Sequence, residues 1–109
     1  MRAIDKSAKF LRYYVNKGAI PYGDHQPGAD GNAHDDNGKC SSAAVLFGLL
    51  GDREASSFFS RMATAAYDER EHGHCGNVWN MLWALPGTSR GGPLATGAYL
   101  KEQRWYLPC

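Results

Sequence analysis

Two segments of the chain, 39–50 and 77–85, are apolar almost all the way round a helix, and this feature constrains the fold more than any other. A helix of this kind is buried on several sides in a globular protein. Each segment follows a polar stretch in which a histidine stands four residues before a glycine, His34 before Gly38 and His72 before Gly76. Each is followed by an amphipathic segment. The pattern predicts two copies of a helical hairpin with an inner and an outer helix, the unit of α-solenoids and α/α toroids.

The spacing of apolar residues and the positions of glycine and proline predict five helices in a single domain over residues 1–109. Asp36 or Asn37 is well placed to cap the second helix, Gly51 ends it, and Pro86 with Gly87 stops the fourth. The fold class is all-α, a partial toroid-like array of antiparallel hairpins. The predicted helices are 2–17, 39–50, 52–68, 77–85 and 93–106.

The segment 18–38 shows neither a helical nor a strand period and contains five glycines, two prolines and four aspartates. A connection of this length inside a small domain is usually either functional or disordered. It contains His25 and His34, two of the four histidines.

Charge and composition exclude several classes of partner. Lys and Arg number 12 against 11 Asp and Glu, a formal net charge of +1, so no long-range attraction to nucleic acid or an anionic membrane is expected. No apolar run reaches the length of a membrane span. Four charged residues between Met1 and Phe10 are atypical of a signal peptide, and we expect a cytoplasmic chain.

Five motifs between residues 34 and 93 stand out together. They are His34-Asp-Asp-Asn-Gly-Lys-Cys40, Ala43-Ala-Val-Leu-Phe47, Glu71-His-Gly-His74, Met81-Leu-Trp-Ala-Leu-Pro-Gly87 and Gly92-Pro93. Through these motifs the chain resembles, over about residues 10–106, the C-terminal part of large, functionally uncharacterised bacterial proteins that look related to the α/α-toroid group of terpene cyclases and protein prenyltransferases. The resemblance implies a toroid-type helical fold and no particular activity.

The size of the chain predicts self-association. A closed toroid needs five or six hairpins, and this chain has two and a half. The missing neighbours would leave apolar flanks exposed on the inner helices, which two copies can bury against each other. We therefore expect a homodimer.

The two histidine loops form the densest group of possible metal ligands. If the inner helices lie side by side, their preceding loops fall at the same end, which brings imidazoles and carboxylates together. Zinc binds three or four such ligands, and carboxylate-rich ligation would also admit other divalent ions. The expected ligands are His34, Asp36, His72 and His74, and Asp35 can replace Asp36. The alternatives are a hydrogen-bonded polar network without metal and histidines that lie on the surface with no common role.

A metal held in this way can activate water for hydrolysis of an ester or phosphoester in a small-molecule substrate. The remaining aspartate, Asp35 or Asp36, or Glu71 would act as general base, and Lys39 or Arg90 would stabilise negative charge on the substrate. The leading hypothesis is therefore a small zinc-dependent hydrolase. Its alternative is a non-catalytic binding or structural fragment in which the metal only ties loops together.

Cys40 allows a third mechanism. It lies in the first turn of the second helix, where the helix dipole favours thiolate, and His34 or His72 could serve as its base. This would make the protein a cysteine hydrolase. An equally good interpretation is that Cys40 is a small buried residue of an inner helix.

Overall fold

The computed structural model describes residues 2–21, 26, 38–66 and 78–105, with the backbone alone for 78–80. No strand occurs in these ranges, and the all-α fold class is confirmed. None of the helices in them combines the length and the apolarity needed to cross a bilayer. The helices are α1 (Ala3–Arg12), α2 (Lys39–Leu49), α3 (Arg53–Ala65), α4 (Val78–Ser89) and α5 (Pro93–Glu102), with a 3₁₀ turn at Gln103–Trp105.

The hairpin of α2 and α3 forms as the sequence predicts. Gly51 adopts φ +78°, a left-handed conformation that glycine accepts without a Cβ penalty, and it reverses the chain between the two helices. Asp52 caps α3, because its Oδ1 accepts a hydrogen bond from the backbone N–H of Ala55 at 3.1 Å. Phe47 of α2 stacks on Phe59 of α3 with ring centroids 5.7 Å apart. The two rings are almost fully buried and anchor the centre of the hairpin.

α4 packs against both helices of this hairpin through small residues. Gly87 lies so close to α2 that an added Cβ would come within 2.5 Å of the Cα of Ser41. Ser60 of α3 donates a hydrogen bond from its hydroxyl to the carbonyl of Thr88 at 3.3 Å. Ser41, Ser60, Ala84 and Thr88 have no exposed surface. Only small side chains allow three helices to approach this closely.

The end of α4 differs from the prediction. Pro86 and Gly87 were expected to stop the helix after Leu85, but it continues to Ser89. A proline inside a helix removes one backbone hydrogen bond and bends the axis, and it does not by itself prevent the next turn. That turn is held by the contacts of Gly87 and Thr88 with the hairpin and by a hydrogen bond from the Ser89 hydroxyl to the carbonyl of Pro86 at 2.8 Å.

The other helices begin within one residue of the predicted positions, but they end earlier. α1 stops at Arg12, residues 13–17 form turns, and Asn16 takes a left-handed φ of 62° before Gly18. The N-cap position of α2 is occupied by Gly38, with φ 73°, rather than by Asp36 or Asn37. Helix ends fray, so differences of one or two residues carry little meaning, but the early end of α1 redirects the chain.

The segment after α1 enters the core. Tyr14, Val15, Ala19 and Ile20 are buried together with residues of α2 and α3. The backbone N–H of Ile20 lies 3.4 Å from the Cys40 Sγ, and the Lys39 ammonium donates to the carbonyl of Pro21 at 2.8 Å. These two contacts hold Ile20 and Pro21 against the first turn of α2.

Large apolar side chains of α4 and α5 point into solvent. Leu82 is 59% exposed and Leu94 is 89% exposed, and Trp83, Leu85 and Leu100 are also exposed. By contrast, Tyr99 of α5 and Gln103 of the 3₁₀ turn that follows it are buried. The expectation of an exposed apolar flank on an inner helix is confirmed for α4.

Replacing Gly87 with alanine is expected to lower the free energy of unfolding by about 1–3 kcal/mol, the usual cost of overpacking. The new methyl group would meet the backbone of Ser41, which cannot rotate away. Gly97→Ala in α5 is the matched control, because a Cβ at that position meets nothing within 4 Å. That change should leave stability unaltered or raise it by up to about 1 kcal/mol. Urea denaturation of both variants makes the comparison, and equal effects would contradict the close contact of α4 with α2.

Candidate functional site

The predicted metal ligands and bases lie outside the described residues. This applies to His34, Asp35, Asp36, Glu71, His72 and His74, and to the neighbouring Cys75. Within residues 2–21, 26, 38–66 and 78–105, no group of three or more His, Cys, Asp or Glu side chains could hold a metal ion. The histidine site therefore stays a prediction, and the structure describes the helices that follow each loop.

These two helices are in direct contact. A close approach joins Ser41, in the first turn of α2, to Gly87, near the end of α4. Gly87 lies nine residues after Val78, or about 14 Å along a helix that rises 1.5 Å per residue. α2 and α4 are thus neighbours, but their first turns are not level with each other.

Cys40 is buried in the core. Its side chain has no exposed surface and belongs to the same apolar cluster as Ala43 and Phe47. The thiol sulfur lies within hydrogen-bonding distance of the backbone N–H of Ile20. This environment favours the packing interpretation of Cys40, because a substrate could not reach a fully buried sulfur without movement of the surrounding chain. Its role as a nucleophile is untested, since His34 and His72 are outside the described ranges.

The two candidate cations lie at opposite ends of α2. Lys39 begins the helix directly after the His34 loop, and its ammonium contacts the carbonyl of Pro21. The Arg90 guanidinium lies against the last turn of α2, with Nη1 3.3 Å from the position that a Cβ of Gly48 would occupy. Nine residues separate Lys39 from Gly48, about 14 Å along the helix. Lys39 is therefore the cation next to the His34 loop, and Arg90 lies on a different part of the surface.

Arg90 lines a cleft that sequence analysis did not reveal. The cleft has a volume of about 350 Å³ and opens to solvent between the end of α2 and the start of α3. Arg53 and Arg90 stand 37 positions apart, so no local motif indicates that they share it. Its lining residues are Gly48, Gly51, Arg53, Ser56, Ser57 and Arg90.

The carboxylates nearest this cleft in sequence are engaged elsewhere. Arg12 Nε lies 2.7 Å from Asp52 Oδ2, and Arg12 Nη2 lies 2.7 Å from Glu54 Oε2. The backbone N–H of Ala55 and the Arg12 guanidinium lower the pKa of Asp52, and hydrogen bonds to both carboxylates raise the pKa of Arg12. Arg53 and Arg90 form no ion pair with any described carboxylate. The cleft therefore carries uncompensated positive charge.

A protein-family model described as "Domain of unknown function (DUF6288)" matches residues 1–108. The chain belongs to this family. No curated protein and no solved structure matches the chain. Because the match spans both histidine loops and all five helices, the family corresponds to the whole helical unit rather than to a single motif.

Asp52 should make stability depend on pH in the acid range. Its pKa is lower in the folded chain than in the unfolded one, so its carboxylate stabilises the fold above the unfolded pKa. This stabilisation is lost as the pH falls through the folded pKa, below about pH 4. Asp52→Asn, which keeps a capping oxygen but no charge, should show a smaller loss between pH 7 and pH 3 in urea titrations.

Asp52→Ala removes the cap as well and should cost about 1 kcal/mol at pH 7. An asparagine variant with the same pH dependence as the wild type would show that the ionised carboxylate contributes nothing to stability.

Proposed function

We propose that the chain binds a divalent metal ion, with zinc preferred, and uses it to hydrolyse an ester or phosphoester bond. The proposed ligands are His34, Asp36, His72 and His74. The observation that supports this site is the direct packing of α2 on α4, because these helices follow the two histidine loops. Loops attached to neighbouring helices can supply ligands to one ion.

The chemistry follows from the ligand types. Imidazole and carboxylate ligands suit zinc. If three of the four proposed groups bound the ion, a water in the remaining tetrahedral position would have its pKa lowered to near 7. Asp35 or Glu71 would then orient a ligand histidine or accept a proton from the water. Lys39, at the start of α2, is the described cation that lies next to the His34 loop in sequence, and it would stabilise the negative charge that develops on the substrate.

A second function from another class is favoured by the exposed apolar surface, defined as Leu82, Trp83 and Leu85 of α4 with Leu94 and Leu100 of α5. Monomeric proteins seldom expose large contiguous apolar patches, and larger ones usually mark interfaces. In this alternative the chain is a binding or structural section of a helical array, and the metal only stabilises its loops.

We further propose that a second copy of the chain covers this surface. A net charge of +1 produces little repulsion between copies, and a twofold axis lets one patch cover itself. Pairing would bury the apolar side chains of this surface, including Trp83, and interface cores are apolar and enriched in aromatic residues.

Elemental analysis of the purified protein tests the metal site. The wild-type chain should carry about one zinc ion per chain, and His34→Ala and His72→Ala should lose most of it, since each removes a ligand. His25→Ala is the control, because this histidine lies in the same Gly-rich segment without a partner motif. Equal metal content in all four proteins would contradict the site.

Activity separates the two functions. A hydrolase should turn over members of an ester and phosphoester panel, lose activity with a chelator, and regain it with zinc. A protein with full metal content and no turnover on the panel would support the structural role. An activity that resists chelation but is lost with iodoacetamide would instead support the Cys40 mechanism.

The double variant Leu82→Gln/Leu85→Gln should shift the protein from dimer to monomer in light scattering at micromolar concentration. Both leucines belong to the exposed apolar surface. A glutamine in the interface would lose its hydrogen bonds to water, and this loss costs free energy on association. Leu49→Gln/Leu50→Gln at the end of α2 is the matched control, since these leucines are also exposed but lie outside that surface. A wild-type monomer, or equal dissociation of both variants, would refute the proposed dimer.

A further inference from the structure

We propose that the cleft between α2, α3 and the end of α4 binds a small oxyanion with two negative charges, of the phosphate type, through Arg53 and Arg90. This site is independent of the proposed metal site, because it lies at the far end of α2 from the His34 loop. The described residues of the cleft supply the space, the charge and the donor geometry for such a ligand.

The space in this cleft is suited to a small ligand. A volume of about 350 Å³ lies at the lower end of the range for small-molecule pockets, roughly 300–1,000 Å³. Gly48 contributes to this space, because a Cβ there would come within 3.3 Å of both the Arg90 Nη1 and the Ser56 hydroxyl. The missing side chain lets the Arg90 guanidinium lie against α2 at the wall of the cleft. A larger residue at position 48 would displace it.

The charge in this region is unbalanced. Arg12, Arg53 and Arg90 contribute three positive charges, and Asp52 and Glu54 contribute two negative ones. Both carboxylates are bound to Arg12 at 2.7 Å, and Asp52 also caps α3. Arg53 and Arg90 are left facing one cleft as like charges. A doubly charged anion between them would remove their mutual repulsion and add attraction to both.

The donors also favour an oxyanion. A guanidinium presents paired N–H groups that match two oxygens of a phosphate or carboxylate, and these charge-assisted bonds are among the strongest in proteins. The exposed Ser57 hydroxyl adds a neutral donor at the cleft. The Ser56 hydroxyl already donates to the carbonyl of Ala44 at 2.8 Å, so it forms part of the wall. Two guanidiniums with one hydroxyl suit a ligand with at least three oxygens, which favours phosphate over a single carboxylate.

Isothermal titration of inorganic phosphate into the full chain tests the proposal, with sodium chloride at matched ionic strength as the blank. Phosphate should bind the wild type. Arg53→Gln and Arg90→Gln should each weaken binding by about tenfold or more, the loss expected when one charge-assisted contact is removed. Arg61→Gln is the matched control, because Arg61 is an exposed arginine of α3 outside the cleft.

Urea denaturation of each variant shows whether it is folded before binding is measured. Gly48→Ala is a second test of the cleft, because it leaves the charges of Arg53 and Arg90 in place. Gly48→Ala should weaken phosphate binding while the Arg61 variant does not. The proposal is overturned if phosphate adds nothing beyond the salt blank, or if all three arginine variants weaken binding equally. Because His34→Ala leaves the cleft intact, phosphate binding by that variant distinguishes failure of this site from failure of the metal site.

Discussion

The close contact of Gly87 with Ser41 determines how α4 sits on the rest of the domain. Small residues at 84, 87 and 88 form one face of α4, and this face is the one that meets the hairpin of α2 and α3. Positions 87 and 88 follow position 84 by three and four residues, and all three therefore lie on one side of the helix. Leu82, Trp83 and Leu85 consequently lie on its other sides. The exposure of the α4 side chains in the apolar surface is therefore a consequence of the small-residue contact. Tight packing inside the domain and the proposed pairing between copies have the same origin.

The turn between α2 and α3 links stability to surface charge. Asp52 caps α3 and holds Arg12, so the helix start, the end of α1 and the local electrostatics depend on one carboxylate. Since Arg12 engages both Asp52 and Glu54, the neighbouring arginines keep their charge uncompensated. The ion pairs of Arg12 with Asp52 and Glu54 thus leave the neighbouring cleft positively charged. The histidine loops and this cleft adjoin different ends of α2, so a metal ion and an anion would bind without sharing side chains.

Local sequence signals predicted the starts of the helices well. The glycine that ends α2 and the proline that begins α5 act within one turn of the chain. Helix ends were predicted less well because they depend on packing. Pro86 and Gly87 are the usual signs of a stop, yet α4 continues because Gly87 is needed against Ser41. Tyr99 of α5 and Gln103 of the 3₁₀ turn after it are buried although Leu94 is more apolar, because the orientation of the helix on its neighbours decides burial.

The sequence by itself determined the helical class, the hairpin repeat, the histidine loops as candidate ligands and the position of Cys40 in the first turn of α2. All of these follow from spacing within one or two elements. Only the tertiary structure decided that Cys40 is buried beside Ile20, that Arg53 and Arg90 share a cleft, and that leucines of α4 and α5 face solvent. These features join residues 20 to 40 positions apart or depend on which face of a helix its neighbours cover. Periodicity along one segment does not contain that information, because the register between helices is set by the volumes of side chains on both.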